Sequence, residues 1–141
     1  MGFDEKLLRR AIELSETAVA SGNGPYGSLL AGPDGVVLKE SWNTTTTDND
    51  ITAHPELKLA RWAARELAAN VAATTVMYTS CQPCGMCYGA LQRSGLGGVV
   101  FALSGEQSAE LSGGDPWPAV KQDGPHLFDE ATVPYVAYYR R

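Results

Sequence analysis

The sequence lacks any stretch near the roughly 20 uninterrupted apolar residues of a membrane-spanning helix, so no membrane association is expected. Its N-terminus has no basic segment followed by an apolar run, which argues against a secretory signal and for a cytoplasmic protein. Basic side chains are scarce, with 11 Lys and Arg against 16 Asp and Glu for a net charge of −5. Proteins that live on nucleic acid hold it by neutralising phosphates, and this balance argues against such a partner. Internal repeats, charge blocks and long linkers are absent, so the 141 residues are expected to form one domain spanning 1–141. At 44% apolar and 19% charged residues, the chain is expected to bury a core without staples.

Cysteine is scarce too, and its placement is informative. An odd count of three is a poor disulfide framework. All three, Cys81, Cys84 and Cys87, fall within one seven-residue stretch. Such a cluster of thiols asks for a metal.

Hydrophobic spacing organises the rest. Asp4 can cap a first helix whose apolar face is Leu8, Ala11, Ile12, Ala18 and Val19, with Gly22 and Gly24 ending it. Strands are predicted over Tyr26 to Ala31 and Val36 to Trp42, joined by the turn Pro33-Asp34-Gly35. A polar loop from Asn43 to Asp50 precedes a second helix that starts close to His54. Thr74 to Thr79 reads as a strand, Cys84 to Ser94 as a helix closed by Gly95, and Val99 to Leu103 as another strand. Residues 104–125 are expected to be a long loop with one short helix at most, and Val133 to Tyr139 a last strand, at an edge because of Pro134. Alternating strands and helices predict α/β layers around one sheet. In such sheets, sites gather where strand ends meet helix N-termini. The segments Thr52–Glu56 and Cys81–Cys87 both lie at predicted helix starts.

Cys84 and Cys87 are one helical turn apart, so their sulfurs share a face, and the helix N-terminus favours the thiolate forms. His54 can add a neutral nitrogen. Three protein ligands leave the fourth tetrahedral position of one zinc ion for water, as in catalytic zinc sites, and zinc lowers the pKa of such a water towards neutrality. Glu56 sits two residues beyond His54, so it is better placed to reach that water than to ligate. From there it can carry a proton to a ring nitrogen and then to a departing amine. Metal, water and proton shuttle describe hydrolytic deamination.

The segments His54-Pro55-Glu56 and Pro83-Cys84-Gly85-Met86-Cys87 carry the two-part signature of zinc deaminases. The chain therefore resembles the zinc-dependent cytidine deaminase-like superfamily. Within it, Pro25-Tyr26-Gly27, Trp42-Asn43, Thr52-Ala53-His54, Tyr78-Thr79-Ser80-Cys81 and Cys84 to Ala90 resemble the guanine deaminase and tRNA adenosine deaminase branch. The resemblance spans roughly residues 24–115 and implies a three-layer α/β/α fold with a central mixed five-stranded sheet. It further implies zinc on His54, Cys84 and Cys87, and proton transfer by Glu56. Asn43 would hydrogen-bond the substrate, Tyr26 would lie near the base, and Asp115 would be a second acidic catalytic residue. Relatives commonly dimerise, sometimes exchanging the C-terminal segment, so a homodimer is expected, with Tyr135, Tyr138 and Tyr139 able to serve the contact. Two departures from the branch are Pro55, where alanine is usual, and Gln82, where glutamate is common.

The expected substrate is a small nucleobase or nucleoside, with guanine first because the resemblance is strongest there and a second carboxylate is available. Cytosine, a nucleoside or a triazine-like ring are alternatives. Editing of tRNA adenosine falls behind, because the chain is acidic and its end is aromatic rather than basic. Cys81-x-x-Cys84-x-x-Cys87 also has the look of an iron–sulfur run, which normally takes a fourth cysteine that this chain lacks. On the deaminase reading Cys81 is a small buried residue at a strand end. Asp115 before Pro116 has a competing reading as a capping residue. Trp42 and Trp62 are assigned to the core, Trp117 to a lid or a surface anchor, and His126 to no role.

Overall fold

The computed structural model describes residues 2–114 and 117–140. The first helix, α1 (Glu5–Ala20), starts as expected, with the Asp4 side chain accepting from the Lys6 N–H. Strands β1 (Gly27–Ala31) and β2 (Val37–Trp42) form an antiparallel hairpin. Its turn is closed by the Gly35 N–H on the Gly32 carbonyl, with Gly35 at φ +82°. Helix α2 (Pro55–Glu66) begins with Pro55 at its first position, and His54 before it is extended, as a residue preceding proline prefers to be. A short helix α3 (Ala69–Ala72), not foreseen in the sequence, leads to β3 (Val76–Cys81). Thr74 and Thr75 fall before that strand because their hydroxyls turn back onto the Val71 carbonyl. Helix α4 (Gly85–Ser94) ends at Gly95 in the left-handed region, φ +85°, and β4 (Gly98–Leu103) follows. The one short helix expected in the long loop is α5 (Gly105–Ser112), opened by a Ser104/Gln107 capping box.

The sheet order is β2-β1-β3-β4, with β1 antiparallel to both neighbours and β3 parallel to β4. Side chains alternate across it. Leu29, Ala31 and Tyr78 pack with Ala11 and Leu14 of α1, while Leu30 and Met77 pack with Leu59, Ala60, Ala63 and Leu91 of α2 and α4. Helices thus cover both faces, and β1, enclosed by both layers, is buried along its whole length. Trp42 and Trp62 pack, partly buried, against these two clusters. Gly27 is where α1 comes closest to the sheet. A Cβ there would lie 2.4 Å from the Ser15 nitrogen and 2.5 Å from the Ala11 carbonyl oxygen.

The α/β/α layering agrees with expectation, and the strand count does not. Among the described residues the mixed sheet has four strands rather than five. The segment expected as a last strand, Val133 to Tyr139, lies in a helix, α6 (Phe128–Tyr139), with Pro134 inside it. β-Branched and aromatic residues favour strands mainly through packing on cross-strand neighbours. Here the segment satisfies its backbone locally instead, as with Arg140 N–H on the Val136 carbonyl. None of the α6 side chains is buried.

Candidate active site

The loop between β2 and α2 is folded by its own polar groups. Its Thr44 N–H donates to the Ala53 carbonyl at 3.1 Å, the Asp48 N–H to the Thr44 carbonyl at 2.8 Å and the Ala53 N–H to the Asp50 carbonyl at 3.1 Å. This places the end of β2, which carries Asn43, beside His54 at the start of α2. From the other direction, β3 delivers Cys81 and its successors to the start of α4, where Cys84 is the cap and Cys87 lies in the first turn.

His54 Nδ1 lies 3.5 Å from the Cys87 sulfur and 3.7 Å from the Cys84 sulfur, and the three ligand atoms all lie within 4.8 Å of one another. Zinc–sulfur and zinc–nitrogen bonds of about 2.3 and 2.05 Å in a tetrahedron put nitrogen and sulfur about 3.6 Å apart. The observed spacing fits that figure. The adjacent Cys87 thiol, then the Cys87 and Met86 amides at the helix N-terminus and the His54 imidazole, pull the Cys84 thiol down to about 5. The same partnership and burial push Cys87 up, so the pair shares one proton. That proton is the one a metal cation displaces. Cys87 is buried and Cys84 is exposed, which leaves the site open on the Cys84 side. Among the described residues, this is the group of acidic, cysteine and histidine side chains arranged to hold a metal.

Glu56, one residue into α2, is 4% exposed, and its Oε1 has no hydrogen-bond partner. Burial holds its carboxyl above the usual carboxylate range, against a smaller opposite pull from its own backbone amide and from His54. A buried carboxylate oxygen without a donor is costly unless something polar arrives to meet it. Asn43 is 3% exposed. Its N–H donates to the Tyr26 carbonyl at 2.9 Å, and its Oδ1 accepts from both the N–H and the hydroxyl of Thr45. The Tyr26 ring is half-buried against Gly24, where an added Cβ would come within 3.0 Å of it. The structure thus brings His54, Cys84, Cys87 and Glu56 together and sets Tyr26 and Asn43 side by side.

Asp115 lies outside the described residues. Cys81 is buried at the end of β3, paired with Leu103, and is not part of the metal group. Pro55 is buried at the start of α2. The Gln82 side chain accepts from the Gly105 N–H at 2.9 Å, tying the end of β3 to α5. Trp117 is 93% exposed and covers nothing here. Lys58 also reaches the site, from α2. Its Nζ donates to the Trp42 carbonyl at 2.8 Å and to the Thr44 hydroxyl at 3.0 Å. The available signal was its place four residues after His54, on the same side of α2.

The family profile for the cytidine and deoxycytidylate deaminase zinc-binding region matches residues 1–103. A guanine deaminase of Bacillus subtilis is 35% identical over 132 residues, covering 93% of this chain and 83% of that protein. A tRNA-specific adenosine deaminase of Haemophilus influenzae is 34% identical over 102 residues, covering 72% of this chain and 59% of that protein. The X-ray structure of guanine deaminase from Bacillus subtilis superposes with a TM-score of 0.78 at 28% identity, over 99% of this chain and 96% of the other. With that profile matched over most of the chain and a metal-ready His54, Cys84 and Cys87 beside a buried Glu56, the protein belongs to the zinc-dependent cytidine and deoxycytidylate deaminase family.

Proposed function

We propose that this protein hydrolyses the exocyclic amine of guanine, releasing ammonia, with zinc held by His54, Cys84 and Cys87. The observation that carries this reading is the buried, unpartnered Oε1 of Glu56 next to a ligand triad of the right spacing. Similarity to a guanine deaminase along nearly the whole chain supports the choice of ring. Zinc, when bound, supplies the Lewis acidity that makes water a nucleophile near neutral pH.

The chain's own residues do the rest. Glu56, whose burial makes it a stronger base than an exposed carboxylate, takes a proton from the attacking water and gives it to the ring nitrogen beside the aminated carbon. The second proton follows the same route to the amine, which leaves as ammonia while the carbon keeps the oxygen. Asn43 has its Oδ1 engaged by Thr45, so it offers the substrate its Nδ2 hydrogens and selects a ring acceptor. Tyr26 supplies an apolar wall for the flat base. Asp115 acts as the second carboxylate on sequence grounds.

The whole chain works as one domain, in the cytoplasm, as a homodimer. The dimer reading is supported by α6, which buries no side chain, and by the outer edge of β4, where Phe101 and Leu103 are exposed. Exchange of α6 between two chains would cover both surfaces. Editing of tRNA adenosine is the second reading, favoured by the Haemophilus influenzae relative and opposed by the net charge of −5.

The test is an ammonia-release screen of the zinc-loaded protein against guanine, guanosine, cytosine, cytidine, adenine, adenosine and aminated triazines, with inosine measured in treated tRNA. Guanine is expected to be turned over fastest. Preference for any other ring, or inosine in tRNA without guanine turnover, overturns the assignment.

A further inference from the structure

We propose that Lys58 is a positioning residue that fastens the Asn43 loop to the helix carrying His54 and Glu56. The proposal rests on the reading of Asn43 as a substrate contact. Lys58 belongs to the first turn of α2, where its N–H donates to the His54 carbonyl at 3.1 Å. Its side chain runs, half-buried, to the end of β2. There the ammonium donates to the Trp42 carbonyl at 2.8 Å and to the Thr44 hydroxyl at 3.0 Å, the two residues that flank Asn43. One cation therefore holds Asn43 from both sides.

The anchor extends further. The Thr44 hydroxyl that accepts from Lys58 donates in turn to Asp48 at 2.6 Å, so its orientation is determined. Hydrogen bonds from an ionised donor are roughly twice as strong as neutral ones. Burial lowers the affinity of Lys58 for its proton, and the nearby Asp48 and Asp50 carboxylates oppose that effect, Arg61 adding to it. Asn43 has little internal freedom, because its backbone is tied to Tyr26 and its Oδ1 to Thr45. The remaining variable is where this rigid unit sits relative to Glu56, and Lys58 sets that distance through the helix both share. A contact displaced by a fraction of an ångström to about 1 Å holds the substrate less well, while Glu56 and the metal ligands stay in place.

The test replaces the ammonium while keeping the apolar stem. Lys58→Met should retain zinc and raise KM for the preferred ring by about tenfold, with kcat within about threefold, as expected when one hydrogen bond's uniform binding is lost. Lys58→Arg, which keeps a cationic donor, should recover most of that loss. In an Asn43→Ala background, Lys58→Met should add less than about twofold, because its effect runs through Asn43. A KM for Lys58→Met within twofold of wild type, or an undiminished effect in the Asn43→Ala background, overturns the proposal. Hydrogen exchange at the Thr44 amide, bonded to Ala53, tests the anchor without catalysis. It should quicken about tenfold in Lys58→Met while an α2 interior amide such as Ala63 does not change. Quickened exchange with no turnover of any ring by wild type overturns the guanine reading and leaves the anchor standing. Unchanged exchange overturns the anchor whatever the ring.

Discussion

The N–H of Thr44 donates to the carbonyl of Ala53 at 3.1 Å, and this bond makes Asn43 and His54 near neighbours although eleven positions separate them in the chain. It closes the loop between β2 and α2 and turns a strand end and a helix start into two walls of one site. The two sulfur ligands, Cys84 and Cys87, arrive independently, from the β3–α4 junction. Each junction alone is an ordinary strand-to-helix connection, and their meeting is what makes chemistry possible.

Glu56→Gln keeps the size of the side chain and removes its basicity. The variant should bind zinc as wild type does and lose ammonia release by at least about a hundredfold with every substrate. Zinc content by atomic absorption and a coupled ammonia assay decide it. Retained turnover removes Glu56 from the role of proton shuttle.

Removal of the metal should be reversible in its consequences. Dialysis against a chelator is expected to abolish ammonia release, and added zinc to restore it. Cys84→Ser and His54→Ala should each lower zinc occupancy far below one ion per chain, because three protein ligands with an open fourth position leave none to spare. Iron and inorganic sulfide in the purified protein would instead favour the iron–sulfur alternative.

Asp115→Asn separates a second proton carrier from a residue that merely precedes Pro116. If the carboxylate takes part, kcat on guanine falls by about a hundredfold or more with zinc unchanged. An unaltered rate assigns Asp115 to capping.

Gly27→Ala tests the packing of α1 on β1. The new methyl would run into the backbone of Ser15 and Ala11, atoms that cannot rotate away. A destabilisation of about 3 kcal/mol is expected, read as a drop in Tm of about 10 °C for a domain of this size. A Tm within about 2 °C of wild type would mean that α1 can move off the sheet at little cost.

Light scattering should give a mass of twice 15.0 kDa for the wild-type chain. Phe101→Arg on β4 and Tyr135→Arg on α6 place charges on the two exposed surfaces assigned to the contact, and each should shift the mass to that of one chain. A monomeric wild type removes the dimer and the exchange of α6 together.

Much of this site was legible because its signals are local. The capping Asp4, the proline at the start of α2, the Cys84/Cys87 spacing and the closing Gly95 each act over one helical turn. The alternation of Leu29, Leu30 and Ala31 likewise follows from a period of two. Val133 to Tyr139 misled for the converse reason. A run of β-branched and aromatic residues favours a strand mainly through packing on a neighbouring strand, and in this structure the run coils into α6 without one. Lys58 was legible only in its spacing from His54, since nothing in its neighbours announces that its amine reaches back sixteen residues to Trp42.

The chemistry on offer follows from residue types and short spacings: two thiols on one helical turn, and a histidine and a glutamate two residues apart. Those properties survive any arrangement of the elements. Packing between distant elements settles the rest: that His54 comes within 3.7 Å of both sulfurs, that Glu56 is buried with its Oε1 unpartnered, and that among the described residues the sheet has four strands. Such outcomes depend on contacts between residues far apart in the chain, whose energy exists only once the layers have packed.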